Sequence, residues 1–184
     1  MATRLLLLLL AITLPLQAAE VAGVKFDDRA RVADSELALS GAGLRQRFVF
    51  DVYAVALYVR DPKTDRVAQG GAKRVAIRML RDGDADTFAK ALVDGMRPNH
   101  DEATMRLLEP RIAELNAIMA AVKEARKGMA IDLDWDPGTG TRVMIEGKAA
   151  GKAIAGEDFY QALLRVWLGP KPVQDDLKKA LLGG

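Results

Sequence analysis

The first half of the chain carries the alternation of apolar and polar residues that is typical of β-strands. Short runs of this kind cover residues 21–26, 36–40 and 75–80, and a longer β-branched and aromatic run covers residues 48–59. The longest run follows a Gly-Ala-Gly triplet and is followed by an Asp-Pro pair. Because these residue types are typical of turns, we predict that turns bound this strand on both sides.

The middle and the end of the chain change to the spacing of amphipathic helices. Asp84 or Asp86 is the predicted N-cap of the first helix. Its apolar positions recur every four residues, at Phe88, Leu92 and Met96. Residues 159–167 repeat the helical spacing near the C-terminus, and a shorter amphipathic segment follows at residues 177–181.

A second helix is predicted to follow Asn99, a favourable N-cap residue with two acidic residues shortly after it. Pro110 lies inside this helix, and its missing N–H predicts a bend or a break between Arg106 and Pro110. The apolar positions form one stripe that we expect to be buried, namely Leu107, Leu108, Ile112, Leu115 and Met119.

Residues 129–135 and 141–146 are two short alternating runs, joined by a turn rich in glycine and proline. They predict a β-hairpin. Strands therefore come first, then helices, then a hairpin and further helices. This order favours an α+β fold in which helices cover one face of an antiparallel sheet.

The N-terminus has the pattern of a secretory signal. Arg4 precedes an apolar run over residues 5–16 that only Thr13 and Pro15 interrupt, and small residues follow at 18 and 19. The run is shorter than the roughly 20 residues that a membrane-spanning helix needs. We expect residues 1–19 to be a signal peptide and residues 20–184 to be one periplasmic or secreted domain without a stable membrane span.

Composition excludes several kinds of chemistry. The chain has no cysteine, which excludes thiol catalysis and disulfides, and it has one histidine, which excludes a histidine-based metal site. A formal net charge of +2 gives no indication of a nucleic-acid partner. Alternate aspartates at 132, 134 and 136 resemble a calcium loop, but Pro137 and Val143 stand where that loop needs glycine and an acid. We predict no metal and no cofactor.

Arg45 and Tyr53 are the remaining candidates for a binding site, because a guanidinium and a phenol can both donate hydrogen bonds to one anionic oxygen. Their relation depends on the chain between them. One continuous strand would place them about 25 Å apart. A reversal near Val49 would instead make them cross-strand neighbours within about 5 Å, although no Gly, Asn or Pro marks a turn there.

Five segments, taken in order, resemble the chalcone isomerase-like family. They are residues 41–45 (GAGLR), 52–58 (VYAVALY), 135–140 (WDPGTG), 156–159 (GEDF) and 167–169 (WLG). The resemblance covers nearly all of the chain after residue 20. It implies an open-faced β-sandwich, a large antiparallel sheet covered on one face by helices, with a ligand pocket between the two layers.

The resemblance implies two different activities. In the plant enzymes, the arginine matched by Arg45 holds a flavonoid-type substrate during ring closure, whereas in the non-catalytic branch it binds a fatty-acid carboxylate together with a tyrosine. Tyr53 matches that tyrosine, where the enzymes carry threonine. The enzymes also carry a tyrosine and an asparagine where this chain has Phe88 and Gly95. The resemblance therefore favours the binders, with Phe88 on an apolar wall.

Arg78 and Arg81 lie near the strand on which the enzymes of the family hold a pocket lysine, and of the two we predict Arg78 as a second cationic group. Three functions stay open. The first is a non-catalytic binder of a small amphipathic molecule such as a fatty acid. The second is an isomerase, an intramolecular lyase acting on a chalcone-like enone. The third is an envelope interaction module whose tryptophans, Trp135 and Trp167, are core or interface anchors.

Overall fold

The computed structural model describes residues 18–64, 66–68 and 70–184, so most of the predicted signal peptide lies outside the described residues. The strands of the described part are β1 (Ala19–Val21), β2 (Val24–Phe26), β3 (Arg29–Val32), β4 (Ser35–Arg47), β5 (Phe50–Val59), β6 (Lys73–Met79), β7 (Gly83–Asp84), β8 (Glu124–Ala125), β9 (Ala130–Asp136), β10 (Gly140–Ile145) and β11 (Lys148–Ile154). Its helices are α1 (Ala85–Met96), α2 (Glu102–Val122), α3 (Glu157–Leu168) and α4 (Asp175–Leu181), with a 3₁₀ turn (Arg97–Asn99) between α1 and α2. None of these helices is long and apolar enough to cross a membrane.

Seven strands form one antiparallel sheet in the order β11-β10-β9-β6-β5-β4-β3. Successive side chains of a strand point to opposite faces, so β5 contributes to two apolar clusters. Tyr53, Val55 and Leu57 pack with helical residues in the main core. Ala54, Ala56 and Tyr58 pack in a smaller cluster with Phe26 on the opposite face. The predicted α+β fold, with helices on one face of the sheet, is confirmed.

We had predicted a turn at the Gly-Ala-Gly triplet, and this prediction is wrong, because the triplet lies inside strand β4. Helix α4 packs so closely on this strand that side chains do not fit. A Cβ atom on Gly41 would lie 2.1 Å from the Ala180 carbonyl oxygen, and one on Gly43 would lie 2.7 Å from Leu177 Cδ1. Both glycines therefore permit a close approach of helix and strand.

The chain reverses at Phe48 and Val49. We had predicted a strand over residues 48–59, and a reversal near Val49 was one of the two arrangements that the sequence left open. Arg47 pairs with Phe50, so the loop between β4 and β5 contains two residues. Phe48 has a φ of 55°, a left-handed conformation that glycine or asparagine adopts more easily. Arg45 and Tyr53 are consequently cross-strand partners.

Two features of the helices agree with the sequence and three differ. Asp84 caps α1 by accepting from Thr87 N at 2.7 Å, and the C-terminal segments predicted to be helical form α3 and α4. Asp101, rather than Asn99, caps α2. Helix α2 runs unbroken through Pro110, whose exposed position leaves the freed carbonyl of the preceding turn accessible to water. Leu107 is 74% exposed instead of buried.

The predicted hairpin of β9 and β10 is confirmed, with residues 137–139 as its turn. Strands β3 and β11 were not predicted. The sequence of β11, KAAGKAI, is rich in residues that are uncommon in strands. Pairing with β10 makes this segment a strand, so the tertiary structure overrides its weak intrinsic preference.

Candidate functional site

A pocket of about 720 Å³ lies between the sheet and helix α1, near the turn that joins β4 to β5. This volume is within the range of small-molecule sites. Its apolar wall includes Val52, Met79, Phe88, Leu92, Val166 and Val173. Arg45 and Tyr53 line the same pocket. Two of the groups that the sequence suggested for a common oxygen therefore share one space with an apolar wall.

Strand pairing places Arg45 beside Tyr53. The two residues are directly opposite each other on β4 and β5, so their side chains leave the same face of the sheet. A register irregularity follows immediately, between Arg45 and Gln46. Of the two arrangements open from the sequence, the structure has the cross-strand one.

The Tyr53 phenol is buried, with 6% of the residue exposed. Its oxygen accepts a hydrogen bond from Trp167 Nε1 at 3.0 Å. Burial raises the pKa of the phenol, while the Trp167 hydrogen bond and the positive charge of Arg45 oppose this shift. The phenol therefore keeps its proton at neutral pH, and no acceptor for that proton is present among the described residues.

Arg45 is half-buried, and part of its guanidinium is already held by the protein. Nη1 donates to the backbone oxygen of Gln46 and, at 3.3 Å, to Gln174 Oε1. Gln174 also accepts from Gln46 N at 3.0 Å, which ties the segment before α4 to the end of β4. No carboxylate in the described chain forms an ion pair with Arg45. The guanidinium also lies close enough to the Tyr53 hydroxyl for its charge and a hydrogen bond to lower the pKa of that phenol.

Phe88 lines the pocket and meets the Tyr53 ring edge to face, with 6.1 Å between ring centroids. Gly95 lies about two turns further along α1, and the space around it leaves no room for a side chain. A Cβ atom there would lie 2.9 Å from Val166 Cγ1 and 3.0 Å from Val173 Cγ1. Phe88 therefore places an apolar ring, and Gly95 a close contact with Val166 of α3, where the resemblance led us to compare a tyrosine and an asparagine.

Arg78 lies on the other face of the sheet and does not line the pocket, contrary to the prediction of a second cationic group. Its Nη1 donates to Asp132 Oδ1 at 2.7 Å, and its guanidinium carbon lies 5.9 Å from the centre of the Phe26 ring. Arg81, three residues later and beyond the end of β6, lines the pocket instead.

Arg47, Arg81 and Trp167 are pocket or support residues that sequence reasoning did not assign to the site. Arg81 lies 4.7 Å from the centre of the Phe50 ring, and Arg47 lies 5.9 Å from that of Phe48. The sequence contained a signal for the two arginines, because Arg47 directly precedes the apolar residues 48–50 and Arg81 directly follows the predicted strand at residues 75–80. Trp167 had been interpreted only as core, and its indole N–H is what orients the Tyr53 hydroxyl.

A groove of about 880 Å³ lies elsewhere, between α1 and α2. Charged side chains of both signs line it, and they pair with one another, as in Arg97 with Asp94 and Arg106 with Glu102. We place the candidate site in the smaller pocket, because Arg45, Arg47 and Arg81 line it and none of them forms an ion pair with another described residue.

The aspartates that resemble a calcium loop are engaged with arginines. Asp134 accepts two hydrogen bonds from Arg74, at 2.6 and 2.7 Å, and Asp132 accepts from Arg78. No cluster of three or more potential metal ligands occurs within the described ranges of the chain. These carboxylates belong to the face of the sheet that is opposite to the pocket.

Comparison with known proteins supports the fold and identifies the family. The crystal structure of an Arabidopsis thaliana fatty-acid binding protein superimposes with a TM-score of 0.65 at 18% sequence identity, over 87% of this chain and 92% of that chain. Comparison with curated protein sequences found no significant match. The family model described as chalcone isomerase-like matches residues 18–183. The chain therefore belongs to the chalcone isomerase-like family.

Proposed function

We propose that this protein is a non-catalytic binder of an apolar carboxylate, such as a fatty acid. One observation carries the proposal. The buried Tyr53 phenol, whose proton has no acceptor among the described residues, lies beside Arg45, which forms no ion pair with those residues, in a pocket that has an apolar side. A carboxylate would accept from both groups, and its hydrocarbon chain would contact the apolar wall. The structural similarity to a fatty-acid binding protein supports the same ligand class.

The headgroup is tested by comparing a long-chain fatty acid with the alcohol of the same chain length. Hydrogen bonds to a charged group contribute about 1.5–3 kcal/mol, so the acid should bind roughly ten to a hundred times more tightly than the alcohol. Arg45→Ala should remove most of this preference. Arg78→Ala is the matched control, because Arg78 is on the opposite face of the sheet, and it should leave the preference unchanged.

Both affinities are measured by isothermal titration on protein from which bound lipid has been extracted, and the extract is identified by mass spectrometry. Equal affinity for acid and alcohol would overturn the headgroup assignment. A preference that is lost in Arg78→Ala but kept in Arg45→Ala would move the site to the other face of the sheet.

The isomerase alternative has less support in the pocket geometry. Arg45 and Tyr53 could donate to an enolate oxygen, but Phe88 and Gly95 bring no further polar group towards a substrate. We expect ring closure of naringenin chalcone at the spontaneous rate. An acceleration that Arg45→Ala abolishes would show catalysis. The interaction-module alternative predicted the absence of a concave apolar pocket, and the pocket described above argues against it.

We also propose that the protein is exported and acts in the periplasm or outside the cell, after removal of residues 1–19. The basic, apolar and small-residue pattern of the N-terminus supports this proposal. The intact mass of the protein from separated cell fractions tests it. The expected form begins at Glu20 and is absent from the cytoplasmic fraction.

A further inference from the structure

The tip of the β4–β5 hairpin, residues 47–50, exposes three consecutive large apolar side chains. Phe48 is 88% exposed, Val49 is 85% exposed and Phe50 is 54% exposed. They form a contiguous protrusion at the point where the chain reverses. Folding gains little from Phe48 and Val49, because most of their surface stays in water, whereas Phe50 is partly buried.

The backbone of the tip adds a second unfavourable feature. Phe48 has a φ of 55°, and for residues other than glycine this conformation costs about 1–2 kcal/mol. Glycine or asparagine would form a two-residue hairpin turn more easily. An exposed aromatic ring thus occupies a strained position where a small polar residue would favour both folding and solubility. Such a combination indicates a contact outside the chain.

Cationic side chains surround the tip. Arg81 lies against Phe50, Arg47 lies near Phe48, and neither forms an ion pair within the part of the chain that the structure describes. Two acids are nearby, and both are engaged: Asp51 accepts from Gln46 Nε2 at 2.7 Å and Asp82 accepts from Lys127 N at 2.7 Å. Both donors are uncharged, so the two carboxylates keep their charge, and the guanidinium groups of Arg47 and Arg81 are the cations at the tip that could contact an external anion.

We propose that residues 47–50, together with Arg81, dock the protein on a lipid bilayer that contains anionic phospholipids. Aromatic and aliphatic side chains at the level of the headgroups, with arginines on the phosphates, are the arrangement that interfacial anchors use. A protein partner fits this tip less well. A stable protein interface buries about 800 Å² on each side, more than three side chains on a two-residue turn present.

Docking would also place the pocket against the bilayer. Phe48, Phe50, Arg47 and Arg81 line the pocket as well as the tip, so the tip is part of the pocket mouth. An amphipathic ligand could then pass between membrane and pocket without crossing water. This second step rests on the proposed function, whereas the docking itself does not.

The absence of cysteine permits a site-specific test. Val49→Cys carries an environment-sensitive fluorophore at the tip, and Leu107→Cys carries it at a matched position, because Leu107 is an exposed apolar residue on α2. With vesicles of phosphatidylglycerol and phosphatidylcholine in equal parts, we expect emission to shift to shorter wavelength at position 49 and to stay unchanged at position 107. Both variants share one N-terminus, so that segment cannot produce the difference.

Charge is tested on the same labelled protein. Each arginine near an anionic membrane contributes about a fivefold change in affinity, so Arg47→Gln and Arg81→Gln should each weaken binding by about this factor. Arg106→Gln, on exposed α2, is the control and should have no effect. Binding should weaken as salt is added and should be lost on vesicles of phosphatidylcholine alone.

Three results would overturn the docking proposal. They are no spectral shift at position 49, an equal shift at position 107, and a shift that depends on protein concentration without vesicles, which would show self-association of the tip. Fatty-acid affinity is measured separately on the same variants. Docking without ligand affinity would refute only the proposed function, and affinity without docking would refute only this inference.

Discussion

The two faces of the sheet use arginine in opposite ways. On the face away from the pocket, Arg74 and Arg78 hold buried aspartates, with Arg74 contacting both oxygens of Asp134. On the helix face, Arg45 has amide and carbonyl partners but no carboxylate, although it lies beside a buried phenol. Arginine is therefore paired with carboxylates on the face away from the pocket, whereas Arg45 on the helix face has no carboxylate partner among the described residues.

This difference between the two faces indicates where an external anion can bind. Strand register puts Arg74 directly opposite Asp134 on neighbouring strands, so the charges cancel locally. Arg45 is instead directly opposite Tyr53, which can donate to an anion but cannot neutralise a cation while it keeps its proton. The face away from the pocket therefore carries an ion-pair network, whereas on the helix face Arg45 forms no ion pair with the described residues.

The largest effect is expected from Arg74→Ala. It leaves the Asp134 carboxylate, whose side chain is 2% exposed, buried without its partner, and breaking such a pair costs about 3–5 kcal/mol. Arg45→Ala removes no ion pair but loses the hydrogen bonds to Gln46 and Gln174, and it should lower the free energy of unfolding by about 0.5–1.5 kcal/mol. Urea denaturation of both variants tests the comparison. It fails if the two variants lose equal stability, and fatty-acid titration should show the reverse ranking.

The next effect is expected from Tyr53→Phe. It leaves the buried Trp167 N–H without an acceptor, which should lower the free energy of unfolding by about 1–3 kcal/mol. It should also weaken fatty-acid binding, because one donor to the carboxylate is lost. Tyr58→Phe is the control on the opposite face, where the hydroxyl donates to the Asp27 carbonyl at 2.8 Å. Reduced affinity in the control variant would contradict the assignment of the site to the helix face.

Arg45→Lys should have a smaller effect. Lysine keeps the charge but not the planar fork, and one of the two contacts with a carboxylate is lost. We expect about tenfold weaker fatty-acid binding, equivalent to about 1.4 kcal/mol, and unchanged stability. Isothermal titration beside urea denaturation measures both. Full affinity in the lysine variant would show that charge alone, without fork geometry, holds the ligand.

The smallest effect is expected from the ionisation of Tyr58, which changes the free energy of unfolding only at alkaline pH. Burial raises the pKa of Tyr58 from 10.0 to about 12. The unfolded chain therefore loses this proton first, so its contribution to stability is complete below pH 10 and is lost as the pH rises from about 10 to about 12. The urea midpoint should be flat at lower pH and fall across this window, less steeply in Tyr58→Phe. A midpoint that rises across the window would contradict the sign.

Much of the fold could be predicted from local pattern. The helical spacing of Phe88, Leu92 and Met96 led to α1, the Gly-Pro turn led to the β9–β10 hairpin, and the order of elements led to an antiparallel sheet with helices on one face. Strand β11 could not be predicted in this way, because its alanines and lysines do not favour strands and only pairing with β10 makes it one.

The sequence by itself also determined which side chains could bind an anion, since arginine keeps its charge in any environment. Only the tertiary structure decided which of them are free to do so. The reversal at Phe48 carries no turn signal, yet it makes Arg45 and Tyr53 neighbours. Arg78 pairs with Asp132, 54 positions away, and Trp167 contacts Tyr53, 114 positions away. Periodicity along the chain holds no information about contacts between residues so far apart in sequence.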